Sequence, residues 1–310
     1  MSTDSNNPFP FVGIVILTWN QREDTLECLE SVFRLDYPNF KVVVVDNGSI
    51  DGTAEAIRAR WPNVTLIVNE INIGVPAADN QGFEHFLQQG ADYVLILNND
   101  TVLERSFLSE LVRVAKSSPD IGMTVPKIYY HGQDRLLWSA GAEWRRFPPR
   151  VVIIGFGQPD NPTYNIQREL DYATGCATLV RRQALETVGL LDPVYFMYQE
   201  DYDYSERLRE ANYKIVYVPT AVMWHKVSTS VGEGSPEKWF RWSRSLVRYY
   251  RRHGRLWGLS FAMFFTWVVL REITKGNWRA ISPHIRGVWA GLQREYRKQP
   301  DSKMRHRDFV

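Results

Sequence analysis

The sequence predicts an α/β fold, a mostly parallel sheet flanked by helices, followed by a helical C-terminal extension. Three observations predict it. From Phe11 to Lys127 short β-branched runs alternate with amphipathic stretches, the pattern of βαβ units. Those runs are apolar almost throughout, as expected when helices cover both faces of a sheet. After about Val231 the composition shifts to Trp, Tyr and Arg. At 310 residues the chain exceeds an average domain of ~150 residues and suits one large α/β unit with an appendage.

In order, Val12 to Leu17, Lys41 to Val45, Val64 to Val68, Tyr93 to Leu97 and Gly122 to Val125 are the predicted strands. Glu23 to Phe33, Thr53 to Arg60, Pro76 to Gln89 and Ser106 to Lys116 carry helical spacing, for example Leu26, Leu29, Val32 and Phe33. Ile128 to Asp171 is less periodic, contains Pro148-Pro149, and is expected to form loops and edge strands over the sheet. Regularity returns with Tyr172 to Val180, helices from about Arg182 to Val188 and Asp201 to Glu210, and strands Lys214 to Val218 and Ala221 to Trp224. The expected division is a disordered N-terminus at 1–10, a catalytic unit at 11–235 and a basic, Trp-rich extension at 236–310. Within the catalytic unit, 11–127 and 128–235 are the two halves.

Hydrophobic residues at 44% and charged residues at 23% exclude a wholly disordered or polytopic membrane chain. Two cysteines, Cys28 and Cys176, exclude a disulfide scaffold and suit a reducing compartment. Met1 to Pro10 lacks a basic start and an apolar stretch, so no signal peptide is expected. The net charge of +2 hides a division: Met1 to Phe240 carries 21 Lys+Arg against 31 Asp+Glu, and Arg241 to Val310 carries 16 against 4. An acidic body thus bears a basic tail. In that tail Leu256 to Leu270 gives 15 uncharged residues, a helix of only ~22 Å where a crossing needs about 20 residues. With Trp257, Trp267, Trp278 and Trp289 nearby, it either lies in a membrane interface or packs on the body or a second subunit. Its aromatics are mainly Trp in apolar surroundings, so no nucleic-acid partner is expected.

Polar residues gather where strands end, the edge at which open α/β sheets bind ligands. Asp46 leads from a buried strand into Asn47, Gly48 and Asp51-Gly52, where its carboxylate either meets a base or ribose or caps the turn. Gly74 with small Ala77-Ala78 either lets a helix start face phosphate or allows tight helix–sheet packing. Asn98-Asn99-Asp100 ends an apolar strand and offers oxygen ligands for Mg²⁺ or Mn²⁺, unless it is only a turn. Glu200, Asp201, Asp203 and Glu206 crowd one segment after Tyr195, Phe196 and Tyr198. They are either a base kept ionised at a helix start or acids favoured there by the helix dipole. His225 ends a short strand, as a metal-ligating imidazole or a hydrogen-bonded structural residue.

In this order the segments resemble the inverting family 2 glycosyltransferases of the nucleotide-sugar-binding GT-A fold, especially bacterial rhamnosyltransferase-like members, over roughly Val12 to Gly254. The resemblance implies a nucleotide site lined by Thr18 and Asn20, with Asp46 on the nucleoside. Asn72, Gly74 and Asn80 shape the pocket floor, and Asn47, Asn98 and Asn99 complete the donor-binding set. Asp100 matches the metal-binding aspartate of a D-x-D element whose first position is Asn98 here, and His225 a later metal ligand. Asp201, beside Glu200, matches the catalytic base. The resemblance further implies transfer from a nucleotide-diphosphate sugar, dTDP-rhamnose ahead of UDP-hexoses, to a glycan or lipid-linked acceptor. That chemistry belongs to cell-surface polysaccharide synthesis, in the cytoplasm and peripherally at the inner face of the plasma membrane. A homo-oligomer remains compatible.

Other classes fit less well. A nucleotidyltransferase would carry a Gly-rich basic loop after the first strand, where TWNQRED stands. Gly155-Phe156-Gly157 lacks the third glycine of a dinucleotide fingerprint, and P-loop, zincin and esterase signatures are absent. A non-catalytic nucleotide-sugar or glycan-binding module would not need Asp201.

Overall fold

In the computed structural model residues 9–133, 135–227, 235–254 and 256–293 are described. The expected disordered N-terminus, save Phe9 and Pro10, and the end of the extension from 294 onward lie outside them. Donor-half elements alternate as the sequence predicts: β1 (Val12–Thr18), α1 (Arg22–Val32), β2 (Phe40–Asp46), α2 (Thr53–Arg60), β3 (Thr65–Val68), α3 (Val75–Gln88) and β4 (Tyr93–Asn98). There follow β5 (Thr101–Leu103), α4 (Phe107–Ala115), β6 (Ile121–Tyr130), β7 (Leu136–Ser139), β8 (Ala142–Arg146), β9 (Pro149–Ile153) and β10 (Gln158–Pro159). Then come β11 (Arg168–Leu170), β12 (Ala177–Arg181), α5 (Arg182–Val188), α6 (Glu200–Glu210) and β13 (Lys214–His225). The extension forms α7 (Pro236–His253), α8 (Trp257–Thr274) and α9 (Ile281–Leu292).

The main sheet runs β10-β7-β6-β12-β4-β1-β2-β3, with β13, β5 and β11 joining off that path. Strands β3, β2, β1 and β4 are parallel, and β12 inserts antiparallel between β4 and β6. Apolar side chains pack on both sheet faces, Ile14, Ile16 and Val44 on one and Val15, Val43 and Val45 on the other. This two-sided burial is why the strands read as unbroken apolar runs.

Several boundaries differ from expectation, three of them for reasons visible in the packing. Strand β6 runs on to Tyr130 because Lys127, which breaks the apolar pattern, is buried 3.2 Å from Asp160. The two predicted strands after Lys214 are one, β13, with an irregularity between Val218 and Val222. Helix α6 starts at Glu200, one residue earlier than predicted, behind Gln199 at φ 72°. In the middle segment, expected as loops and edge strands, β8 and β9 form a separate hairpin.

The extension packs on the body. Leu246, Val247, Tyr249, Tyr250, Phe261, Phe264 and Val268 share a core with Ala142, Tyr172 and Tyr195. Helices α7 and α9 approach closely at Gly287, where a Cβ would lie 2.3 Å from the Phe240 carbonyl oxygen.

Candidate active site

Register aligns the strand ends. Thr18 pairs with Asp46 across β1 and β2, and Leu17 with Asn98 across β1 and β4. Asp46 Oδ1 accepts the Ser49 N–H at 2.8 Å, while Oδ2 is buried without a partner. Asn20 Oδ1 accepts the Ile50 N–H at 2.8 Å and its own N–H donates to Ser49 Oγ at 2.9 Å, joining the loops after β1 and β2.

Several asparagines support this edge from behind. Asn47 donates to Asn72 Oδ1 at 3.0 Å and accepts the Ile73 N–H at 3.0 Å. Asn72 Oδ1 also accepts the Gly74 N–H at 2.9 Å. Asn99 turns inward, donating to Thr25 Oγ1 at 2.9 Å and Thr18 Oγ1 at 3.3 Å. Asn80 spans to the Leu191 backbone, donating at 2.8 Å and accepting at 3.0 Å. At the start of α3 the Val75 N–H donates to the Phe196 carbonyl at 2.7 Å. Gly74, at φ 90°, leaves room for that contact, because a Cβ would lie 2.7 Å from Phe196 atoms.

Asp100 and His225, 125 positions apart, meet because β5 pairs antiparallel with β13. Asp100 Oδ1 lies 3.1 Å from His225 Nε2, and both residues are buried. The ring packs edge-on against Trp138, and Nδ1 is buried without a partner. Burial disfavours the imidazolium, but Cys176 and Asp100 outweigh it and push the imidazole up to about 10. Burial also raises the Cys176 thiol, so Asp100 is the anion that counts. Asp100 and His225 would hold a divalent ion in place of the imidazole proton, since a carboxylate oxygen and an imidazole nitrogen lie side by side. Among the described residues no group of three or more His, Cys, Asp or Glu could hold a metal, so further ligands would come from diphosphate and water. A carboxylate suits Mg²⁺ or Mn²⁺, and the imidazole favours the transition ion.

The acidic segment lies close by. Gly175 donates its N–H to Asp201 Oδ2 at 3.0 Å, and the next residue, Cys176, accepts the Asn98 N–H at 3.0 Å. Asp201 Oδ1 accepts the Tyr202 N–H at 2.9 Å. Burial raises the Asp201 carboxyl to about 6, the two amides holding it from going higher. Burial and the Asp201 charge push Glu200 well above the usual carboxylate range. Asp79, from α3, lines a small buried pocket with both, and burial alone raises it to about 8. Its place was readable in the sequence: with Phe83 and Phe86 it forms an i, i+4, i+7 set on the buried face of α3.

The loop before α6 is held in an uncommon conformation, with Phe196, Tyr198 and Gln199 at φ 62°, 69° and 72°. Helix α7 clamps it: Ser245 Oγ bonds the carbonyls of Tyr195 at 3.0 Å and Met197 at 2.9 Å. Asp203 is fully buried and meets Arg207 at 2.9 Å, Arg252 at 3.2 Å and His253 at 2.8 Å. Sequence spacing showed none of these contacts from the extension.

The fold is that of the GT-A class of glycosyltransferases. A mannosyltransferase from Pyrobaculum calidifontis, solved in complex with GDP-Man and Mn²⁺, shares the fold with a TM-score of 0.56 at 20% identity, over 93% of this chain and 76% of that one. The chain belongs to glycosyl transferase family 2, whose profile matches residues 13–189, and it is a glycosyltransferase. It is 30% identical over 213 residues to N-acetylglucosaminyl-diphospho-decaprenol L-rhamnosyltransferase of Mycobacterium tuberculosis, 62% of this chain and 68% of that protein. It is 26% identical over 235 residues to poly-beta-1,6-N-acetyl-D-glucosamine synthase of Staphylococcus epidermidis, 75% of this chain and 54% of the synthase.

Proposed function

We propose that this glycosyltransferase moves a sugar, with inversion, from a nucleotide-diphosphate donor to a hydroxyl of a lipid-linked saccharide in cell-surface polysaccharide synthesis. dTDP-rhamnose is the favoured donor and a UDP-hexose the next, supported by the rhamnosyltransferase relative. The observation that carries the reading is Asp201: it borders a cleft, bonded to Gly175, one residue from the Cys176 carbonyl that holds Asn98.

Asp201 would accept the proton of the acceptor hydroxyl as that oxygen attacks the anomeric carbon opposite the leaving diphosphate. A carboxyl raised to about 6 is ionised at neutral pH yet basic enough to take that proton. Beside it, burial and the Asp201 charge push the Glu200 carboxyl up as well. Asn20, Asp46 and Asn98 would face the donor, while Thr18, Asn47, Asn72, Gly74, Asn80 and Asn99 hold the loops that shape its pocket. A divalent ion, Mg²⁺ or Mn²⁺, held by Asp100 and His225 would supply Lewis-acid stabilisation of the diphosphate charge.

Residues 11–127 would then bind donor, 128–235 acceptor, and 236–310 would hold the enzyme at the inner face of the plasma membrane. No helix among the described residues is long and apolar enough to cross a membrane. Contact would instead be peripheral, supported by exposed Ile285, Arg286 and Trp289 on one face of α9, with Trp278 and Arg279 exposed just before it.

A screen of nucleotide sugars with Mn²⁺ or Mg²⁺ tests the assignment. At least one donor should raise the melting temperature and slowly release nucleoside diphosphate. Release of pyrophosphate, or no turnover with any donor, overturns it.

A further inference from the structure

We propose that Ser245, on α7 of the extension, is a positioning residue for the base: it fixes the loop that sets where the Asp201 carboxylate points. This rests on the transferase reading above and goes beyond it, because the extension then serves the chemical step and not only attachment to a membrane.

The loop does not keep its shape by local preference. Phe196, Tyr198 and Gln199 stand at φ 62°, 69° and 72°, a region unfavourable to any residue with a Cβ and stable only where the surroundings over-determine it. Helix α6 starts directly after Gln199, whose side chain makes no capping bond, so nothing in the cap fixes where the first turn begins. Asp201 lies in that first turn and reaches back to the Gly175 N–H at 3.0 Å. A small shift of the helix start would break that contact.

Ser245 supplies the missing constraint. It is fully buried, and its hydroxyl donates between the Tyr195 carbonyl at 3.0 Å and the Met197 carbonyl at 2.9 Å. One proton thus bridges the two peptide groups that bracket Phe196 and Met197. The same face of α7 grips the chain again beyond the base. Seven and eight positions after Ser245, Arg252 and His253 lie 3.2 Å and 2.8 Å from Asp203 Oδ1. Tyr195 closes the clamp by donating to Asp203 at 3.1 Å. Asp201 is therefore held between two anchors on one helix, one before it and one after it.

Ser243 provides the contrast. It is equally buried on α7, but its Oγ meets His284 Nδ1 of α9 at 2.6 Å and not the loop. If α7 only packs on the body, loss of either hydroxyl has the same consequence. If α7 positions the base, only Ser245 governs turnover.

The test uses full-chain variants with Mn²⁺ and dTDP-rhamnose or UDP-hexoses, reading nucleoside diphosphate released. Ser245→Ala should lower kcat ~10–100-fold, the scale set by displacing a catalytic group by about 1 Å. Its donor KM and its melting-temperature shift with donor should match the wild type. Ser243→Ala should melt lower than the wild type yet keep its kcat. Because Ser245 acts through Asp201, adding Ser245→Ala to Asp201→Asn should slow turnover no further. An unchanged kcat in Ser245→Ala, equal kcat losses in the two serine variants, or fully multiplicative losses in the double variant overturn the assignment. Where Ser245→Ala does not fold, His253→Ala, which leaves Arg207 and Arg252 on Asp203, carries the test: a lower kcat at unchanged donor KM is expected, and a wild-type kcat overturns the clamp. The two readings fail separately. Asp201→Asn at the wild-type rate, or a wild type that releases no nucleoside diphosphate, overturns the transferase reading beneath. A slowed Asp201→Asn beside an unaffected Ser245→Ala overturns the positioning role alone.

Discussion

Replacing Asp79 by Asn removes a carboxyl whose perturbation comes from burial alone. Asp79 is 3% exposed, and its Oδ1 has no partner. Its carboxyl ionises near 8 in the fold against an ordinary 3.8. The folded state therefore binds the proton more tightly, and stability falls as pH rises from about 4 to 8. Each pH unit in that window costs about 1.4 kcal/mol, so between pH 4.5 and 7.5 Asp79 withdraws ~4 kcal/mol from the wild type. Asn cannot ionise and carries only a nearly constant desolvation cost of ~1–3 kcal/mol. Urea unfolding of both proteins at pH 4.5, 6 and 7.5 should show the stability of Asp79→Asn, relative to wild type, rising by ~4 kcal/mol across the series. Parallel pH dependences would refute the argument, because Asp79 would then have a charge partner or contact with water.

Two further substitutions probe the loop that presents Asp201. Gly74→Ala places a methyl 2.7 Å from Phe196 at φ 90°, so a stability loss of about 1–3 kcal/mol is expected. Transfer should fall more than donor binding does, read from turnover and from melting-temperature shifts with donor. Asp203→Ala leaves Arg207, Arg252 and His253 without their shared buried anion. A loss of ~3–5 kcal/mol in urea unfolding is expected, and a change under 1 kcal/mol would show that the cations find other partners.

The strand edge was legible because it obeys local rules. Two-sided burial makes β1, β2 and β4 apolar runs, and each ends in polar residues that register brings side by side. The pairing of Asp100 with His225 was legible only as an ordered set of motifs, since nothing local joins β5 to β13. Within that set, the sequence could not say which way an amide points. Asn99 lies beside Asp100 and Asn80 six positions after Gly74 in sequence, yet both are spent on the protein itself. The shift to Trp, Tyr and Arg after Val231 marked the extension but did not say what α7 packs against. Its contacts through Ser245, Arg252 and His253 to the segment carrying Asp201 depend on chain folding back across roughly 50 positions.

The central claim is that Asp201 is the base, and the transfer rate of Asp201→Asn tests it most directly. With a donor and acceptor that the wild type turns over, the variant should be slower by about 10²–10⁴-fold, while the donor raises its melting temperature as it does for the wild type. Wild-type transfer should also decline about tenfold per pH unit below about 6. A variant that transfers sugar at the wild-type rate contradicts the account.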